Sequence, residues 1–143
     1  MAVNVLVDTG AILGFLDRKD QWHTACAATF EQLRLPLMTS EAVLTELFHL
    51  VRGSRDDLQL AWRFVRSGAI MLTNIDHSEL PALDLLMSRY SDLPMDFADA
   101  TLVHLANRER ISTVFTTDHR DFQTYRMNGG RRFRVLPPPQ ASS

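Results

Sequence analysis

Four acidic residues stand where a soluble protein has little use for a charge. Asp8 ends the apolar run "VNVLV" near the start of the chain, and Asp118 follows the run "VFTT" in the same way. At about 100° per residue, Asp99 falls at the centre of a helical stripe made by Leu102, Val103 and Ala106. Glu46 falls at the edge of another, made by Val43, Leu47 and Leu50. A carboxylate turned toward a core is costly unless something compensates for it. Two chemistries use aspartates placed this way. Asp-Thr-Gly (residues 8–10) after an apolar strand suits an aspartic protease, in which two such aspartates share one proton. Acids at strand ends also suit a hard divalent cation, which activates water for phosphodiester hydrolysis.

Each acid has a purely local reading as well. Asp8 can cap the helix that follows it, and Asp118 a short helix in "TTDHRDF". Asp96, two residues after Pro94, can be an N-cap, which places Asp99 at the third helical position where the dipole favours a carboxylate. Asp96 is therefore either an extra member of the acidic group or a cap. Glu46 can be a partly exposed edge residue.

The elements that must position these acids alternate. Strands are expected at Val3–Val7, Ile70–Ile75, Thr113–Thr116 and Phe133–Leu136, with a brief apolar piece at Pro36–Met38. Helical patterns cover Gly10–Leu16, His23–Leu33, Glu41–Arg52 (with Thr39 and Ser40 as cap candidates), Asp56–Arg66, Ser78–Tyr90 and Asp96–Arg108. This alternation predicts an α/β fold, a three-layer α/β/α sandwich around a mostly parallel sheet of four to five short strands. In such a sheet sites form outside the carboxyl ends of the strands, where Asp8 and Asp118 lie. The pattern argues against the aspartic protease, which is built almost wholly of strands. Residues 1–136 read as one domain. Residues 137–143, rich in proline and serine, read as a disordered tail.

A chain of 143 residues with 45% hydrophobic and 22% charged residues is ordinary for a globular domain. The net charge of −2 supplies no global field to attract nucleic acid, so such binding needs local patches. Lys19 is the sole lysine against fourteen arginines. Arg126, Arg131, Arg132 and Arg134 form one basic stretch that could hold an RNA backbone or an acidic partner segment. One cysteine, Cys26, excludes an internal disulfide and a cysteine-based metal site. His23, His49, His104 and His119 lack the spacing of a zinc site. No run approaches the roughly 20 apolar residues of a membrane helix, and the N-terminus lacks the basic start of a signal peptide. A cytoplasmic protein is the expectation. Four clustered carboxylates cannot all ionise without positive charge between them, and Mg²⁺ or Mn²⁺ answers that need with oxygen-preferring coordination.

In "VLVDTGAILGFLDRKDQWH", "TSEAVLTELFHLV", "DFADATLVHLA" and "VFTTDHRDF" the chain resembles the PIN-domain nucleases, and among them the VapC-like toxins of toxin–antitoxin pairs. The resemblance spans about residues 3–136. It implies a quartet of acids that binds Mg²⁺ or Mn²⁺ and cleaves single-stranded RNA, at Asp8, Glu46, Asp99 and Asp118. It places hydroxyl neighbours of the first and fourth acids at Thr9 and Thr116. It implies a small antitoxin partner and a homodimer. The antitoxin's basic side chain would reach the acids and its apolar face would lie against Leu47, Phe48 and Val51. Gly10 departs from the serine frequent in the family. The other readings are a stand-alone PIN nuclease that processes RNA without an antitoxin, and an inactive PIN-like binding module.

Overall fold

The structure, a computed structural model, describes residues 2–139. Its centre is a sheet of five strands: β1 (Leu6–Val7), β2 (Leu37–Ser40), β3 (Ile70–Thr73), β4 (Thr113–Phe115) and β5 (Arg134–Leu136). They lie in the order β3-β2-β1-β4-β5, and every pairing is parallel. Leu6 stands opposite Met38 on one side and Val114 on the other, so the N-terminal strand is the middle of the sheet. This is the parallel sheet expected from the alternating pattern, and its topology is incompatible with an all-strand protease.

Between the strands run seven α-helices: α1 (Thr9–Leu16), α2 (His23–Gln32), α3 (Glu41–Val51), α4 (Arg55–Arg66), α5 (Leu80–Arg89), α6 (Phe97–Glu109) and α7 (His119–Thr124). The chain steps outward from β1 through β2 to β3, then returns across β1 to β4. Right-handed crossovers therefore set α1–α4 on one face and α5–α6 on the other. The packing agrees, with α1 touching α2, α3 and α4, α3 touching α4, and α5 against α6; α3 also reaches α6. The brief apolar piece at Pro36–Met38 is the full strand β2, fully buried along its length. The expected strand Ile70–Ile75 is shorter and sits at the sheet edge, where Met71 and Leu72 are exposed. Helix α6 shows why these helices form where they do. Its apolar residues from Ala98 to Ala106 are buried nearly all round, so it is packed between the sheet and α5 instead of lying on the surface.

Glu79 ties the two ends of this layer together. Its Oε1 accepts from His104 Nε2 and Arg108 Nη1, each at 2.7 Å, and Oε2 accepts from the Asp76 N–H at 2.7 Å. These bonds hold the carboxyl well below the usual range, at about 2. They fix the turn before α5 against α6, the helix that carries Asp99. At the other end, Pro137 is buried and its carbonyl accepts from His119 Nε2 at 2.6 Å. Of the expected tail, residues 140–143 lie outside the described residues.

Candidate metal centre

Strand β1 stops at Val7, and the Asp8 N–H continues its ladder by donating to the Phe115 carbonyl at 2.9 Å. That bond brings the first acid beside the end of β4. Asp8 then caps α1. Its Oδ1 accepts from the Thr9 N–H at 2.8 Å and its Oδ2 from the Thr116 hydroxyl at 2.9 Å. The same Thr116 oxygen accepts from the Asp118 N–H at 2.9 Å. Thr116 is fully buried and thus links the first acid to the fourth. The Thr9 side chain turns elsewhere, donating to the Val43 carbonyl at 3.3 Å and tying α1 to the helix that bears Glu46.

Gly10 has a steric reason. A Cβ at this position would stand 2.3 Å from Thr117 Oγ1, so any side chain here would force the Thr117 hydroxyl to move.

Asp96 takes the cap reading, which places Asp99 at the third helical position. Asp96 is exposed and caps α6, its Oδ1 accepting from the Asp99 N–H at 2.8 Å. Asp99 is buried at the third helical position, with Oδ2 accepting from the Tyr125 hydroxyl at 2.9 Å. Asp118 likewise caps α7, accepting from the Asp121 N–H at 3.2 Å. Three helix N-termini (α1, α6 and α7) therefore carry acids at one edge, and their dipoles offset part of the repulsion among the acids.

Carboxylate oxygens of Asp99, Asp118 and Asp121 lie within 4.8 Å of one another, close enough to share one ion. Asp121 is a member that the sequence reading did not single out. A signal was present: "DFAD" and "DHRD" have the same spacing, a capping aspartate followed three residues later by a second on the same helical face. Asp8 and Glu46, expected in one quartet with Asp99 and Asp118, stand outside this tight triad, and Glu46 is half-buried on α3. The Asp8 charge still acts on Asp99, and the Glu46 charge acts on Asp8.

The carboxyl groups show this mutual field. Burial pushes Asp8 up to about 6, and the charges of Glu46 and Asp118 add to it against the bonds from Thr9 and Thr116. Burial pushes Asp99 up to about 8, reinforced by Asp8, Asp96 and Asp118 and opposed by Tyr125. Asp118 is also raised, first by burial and then by the adjoining Asp121 carboxyl. Among the described residues none of these acids pairs with a cation. A partly buried, unpaired set of all-oxygen donors fits a hard divalent ion.

The arginines do not gather at this edge. Arg126 folds back over the end of α7, its Nη1 donating to the carbonyls of Gln123, Thr124 and Tyr125 at 2.6, 2.9 and 3.0 Å. Arg134 lines a cavity of about 880 Å³ with Arg34 and Arg110, at the opposite end of the strands. Arg131 and Arg132 are exposed beyond α7. Leu47 and Val51, expected to wall a peptide groove, are core residues, and Phe48 packs on Trp62 with ring centres 4.5 Å apart. An apolar groove of about 470 Å³ opens instead among Phe15, Phe30, Leu60 and Phe64, from α1, α2 and α4.

The sequence profile of the PIN domain matches residues 5–126. The ribonuclease VapC26 of Mycobacterium tuberculosis is 33% identical over 135 residues, covering 93% of this chain and 100% of that protein. The crystal structure of VapC20 from Mycobacterium tuberculosis, described as a toxin that cleaves the sarcin–ricin loop, is similar in fold. It superposes with a TM-score of 0.72 over 82% of this chain and 92% of its own, at 18% identity.

Proposed function

The chain belongs to the PIN domain family, and from that premise we propose that it is a metal-dependent endoribonuclease acting as the toxin of a toxin–antitoxin pair. The observation that carries this reading is a set of unpaired acids at one end of the strands, two of them buried, with Asp8 raised to about 6 and Asp99 to about 8. Such a set is unfavourable by itself and becomes favourable around a cation. RNA as the substrate rests on the relative VapC26, a ribonuclease that matches nearly the whole chain.

Asp99, Asp118 and Asp121 would hold Mg²⁺ or Mn²⁺, with Asp8 and Glu46 completing the negative field around it. The bound ion would lower the pKa of a water and neutralise charge developing on the scissile phosphate. The chain's own groups have narrower tasks. Thr116 fixes the Asp8 carboxylate and the Asp118 backbone at once. Thr9 fixes the backbone of α3 beneath Glu46. With no basic side chain paired to the acids, the site stays open to an ion.

An antitoxin would neutralise this site by presenting a basic side chain to the acids, with its apolar face in the groove between α1, α2 and α4. We assign the protein to the cytoplasm, as a homodimer. No helix among the described residues is long and apolar enough to cross a membrane.

The test is cleavage of single-stranded RNA by the purified protein with Mg²⁺, with Mn²⁺, and with excess EDTA. Cleavage with either ion that leaves 5′-phosphate ends and stops with EDTA supports the reading. Undiminished cleavage in EDTA overturns the metal mechanism. A neighbouring small protein that neither restores growth on co-expression nor binds the chain overturns the toxin assignment.

A further inference from the structure

We propose that Tyr125 is a positioning residue for Asp99, selecting which carboxylate oxygen faces the ion. The idea rests on the metal-nuclease reading and adds to it a residue that lies outside the acids.

Tyr125 is fully buried at the end of α7, and its hydroxyl donates to Asp99 Oδ2 at 2.9 Å across 26 residues of sequence. No donor reaches Asp99 Oδ1 among the described residues, and that oxygen is not sealed from solvent. One oxygen is thus held by a neutral donor and the other left free, on an acid whose carboxylate lies within 4.8 Å of those of Asp118 and Asp121. A carboxylate free to rotate would exchange its two oxygens. One pinned by a hydroxyl cannot do so without breaking a buried hydrogen bond.

The ring of Tyr125 is itself held from two sides. Tyr90, just past α5, meets it edge-on with centres 5.1 Å apart at 65°, and Phe122 meets it at 5.2 Å and 83°. Phe133 backs Phe122 in turn at 5.7 Å and 89°. The Tyr90 hydroxyl accepts from the Arg126 N–H at 2.9 Å, and the Arg126 side chain closes the carbonyl end of α7. The backbone on the far side of Tyr125 is therefore anchored to a different helix. A chain of contacts runs from Tyr90 through Arg126 and Tyr125 to the Asp99 carboxylate. Outer partners of this kind orient a ligand and raise metal affinity without touching the ion.

The experiment compares the full chain with Tyr125→Phe, which keeps the ring and removes the hydroxyl. Mn²⁺ binding is measured by calorimetry without RNA, alongside the Mn²⁺ dependence of RNA cleavage. The expected result is Mn²⁺ affinity weaker by about tenfold or more, with kcat at saturating Mn²⁺ reduced much less. A purely structural hydroxyl would lower the melting temperature and leave Mn²⁺ affinity unchanged, and that result overturns the proposal. If Tyr125→Phe does not fold, Tyr90→Phe reads the same chain of contacts: weaker Mn²⁺ binding supports it, and unchanged binding overturns it. A parent protein that binds no Mn²⁺ overturns both this role and the metal-nuclease reading. Equal binding by parent and Tyr125→Phe overturns the role of Tyr125 alone.

Discussion

The Thr116 hydroxyl gives its proton to Asp8 Oδ2 and takes the Asp118 N–H, both at 2.9 Å, so one buried oxygen fixes two acids that lie 110 residues apart in the sequence. Thr116→Val keeps the shape and removes both bonds. It leaves the Asp118 N–H without its acceptor and Asp8 without a donor that opposes its upward shift. Stability should fall by about 1–3 kcal/mol, and RNA cleavage should fall with it, while Thr116→Ser keeps most of both. Denaturant unfolding and a cleavage assay on the three proteins check this. A valine variant as stable and active as the parent refutes it.

The metal-free protein should lose stability as pH rises. Asp8 and Asp99 bind protons more tightly when folded, at about 6 and about 8 against 3.8 for each unfolded. Their contribution is fully present below pH 3.8 and is lost as pH climbs through those two values. The opposite case, Glu79 at about 2, acts only at lower pH and leaves this window alone. Melting temperatures in EDTA should therefore decline between pH 5 and pH 9, and saturating Mn²⁺ should cancel most of the decline. A flat profile in EDTA would contradict the mutual field of the acids.

Asp99→Asn removes the most strongly raised acid while keeping an oxygen for the Tyr125 hydroxyl. At pH 8 without metal the variant should exceed the parent in stability by about 1 kcal/mol or more. Stabilisation by added Mg²⁺ should shrink, and RNA cleavage should fall by orders of magnitude. If Asp99 serves only the helix dipole, the variant loses stability and keeps its activity.

Gly10→Ala should reveal the close approach of α1 to the β4–α7 connection. The new methyl would meet Thr117 Oγ1 at 2.3 Å, forcing that side chain to rotate, at a cost of about 1–3 kcal/mol. Thr117→Ala in the same chain should recover most of the loss. Additive costs in the double-mutant cycle would show that the two positions do not touch.

Much of this was legible in the sequence because it is local. Asp8, Asp96 and Asp118 each read as helix caps, and each is one. At Asp8 and Asp118 cap and candidate site coincide because strand ends in a parallel sheet are also helix beginnings. Asp121 escaped because α7 is a six-residue helix with one buried residue, too short to show a periodic face. Tyr125 escaped because its value lies in a bond to another helix, and an isolated tyrosine reads as core. The basic stretch misled for a related reason. A guanidinium has five donors and can turn to the nearest free carbonyls, as Arg126 does, so clustering in sequence does not mean clustering on a surface. Leu50 falls by its spacing on the apolar stripe of α3 and is more than half exposed, since that helix buries a narrower face than its sequence offers.

The central place of β1 also sets a timetable for synthesis. Its second neighbour, β4, leaves the ribosome more than a hundred residues later, because Leu6 and Val7 pair with Val114 and Phe115. At typical elongation rates that interval is roughly 5–20 s. Throughout it one flank of the first strand is unmatched, Asp8 has no Thr116 to bond, and no acidic edge exists. A product released early, anywhere before residue 113, is a fragment without the site. On the proposed reading, the acids that would hold the ion come together only after Asp121, the last of the triad, has left the ribosome.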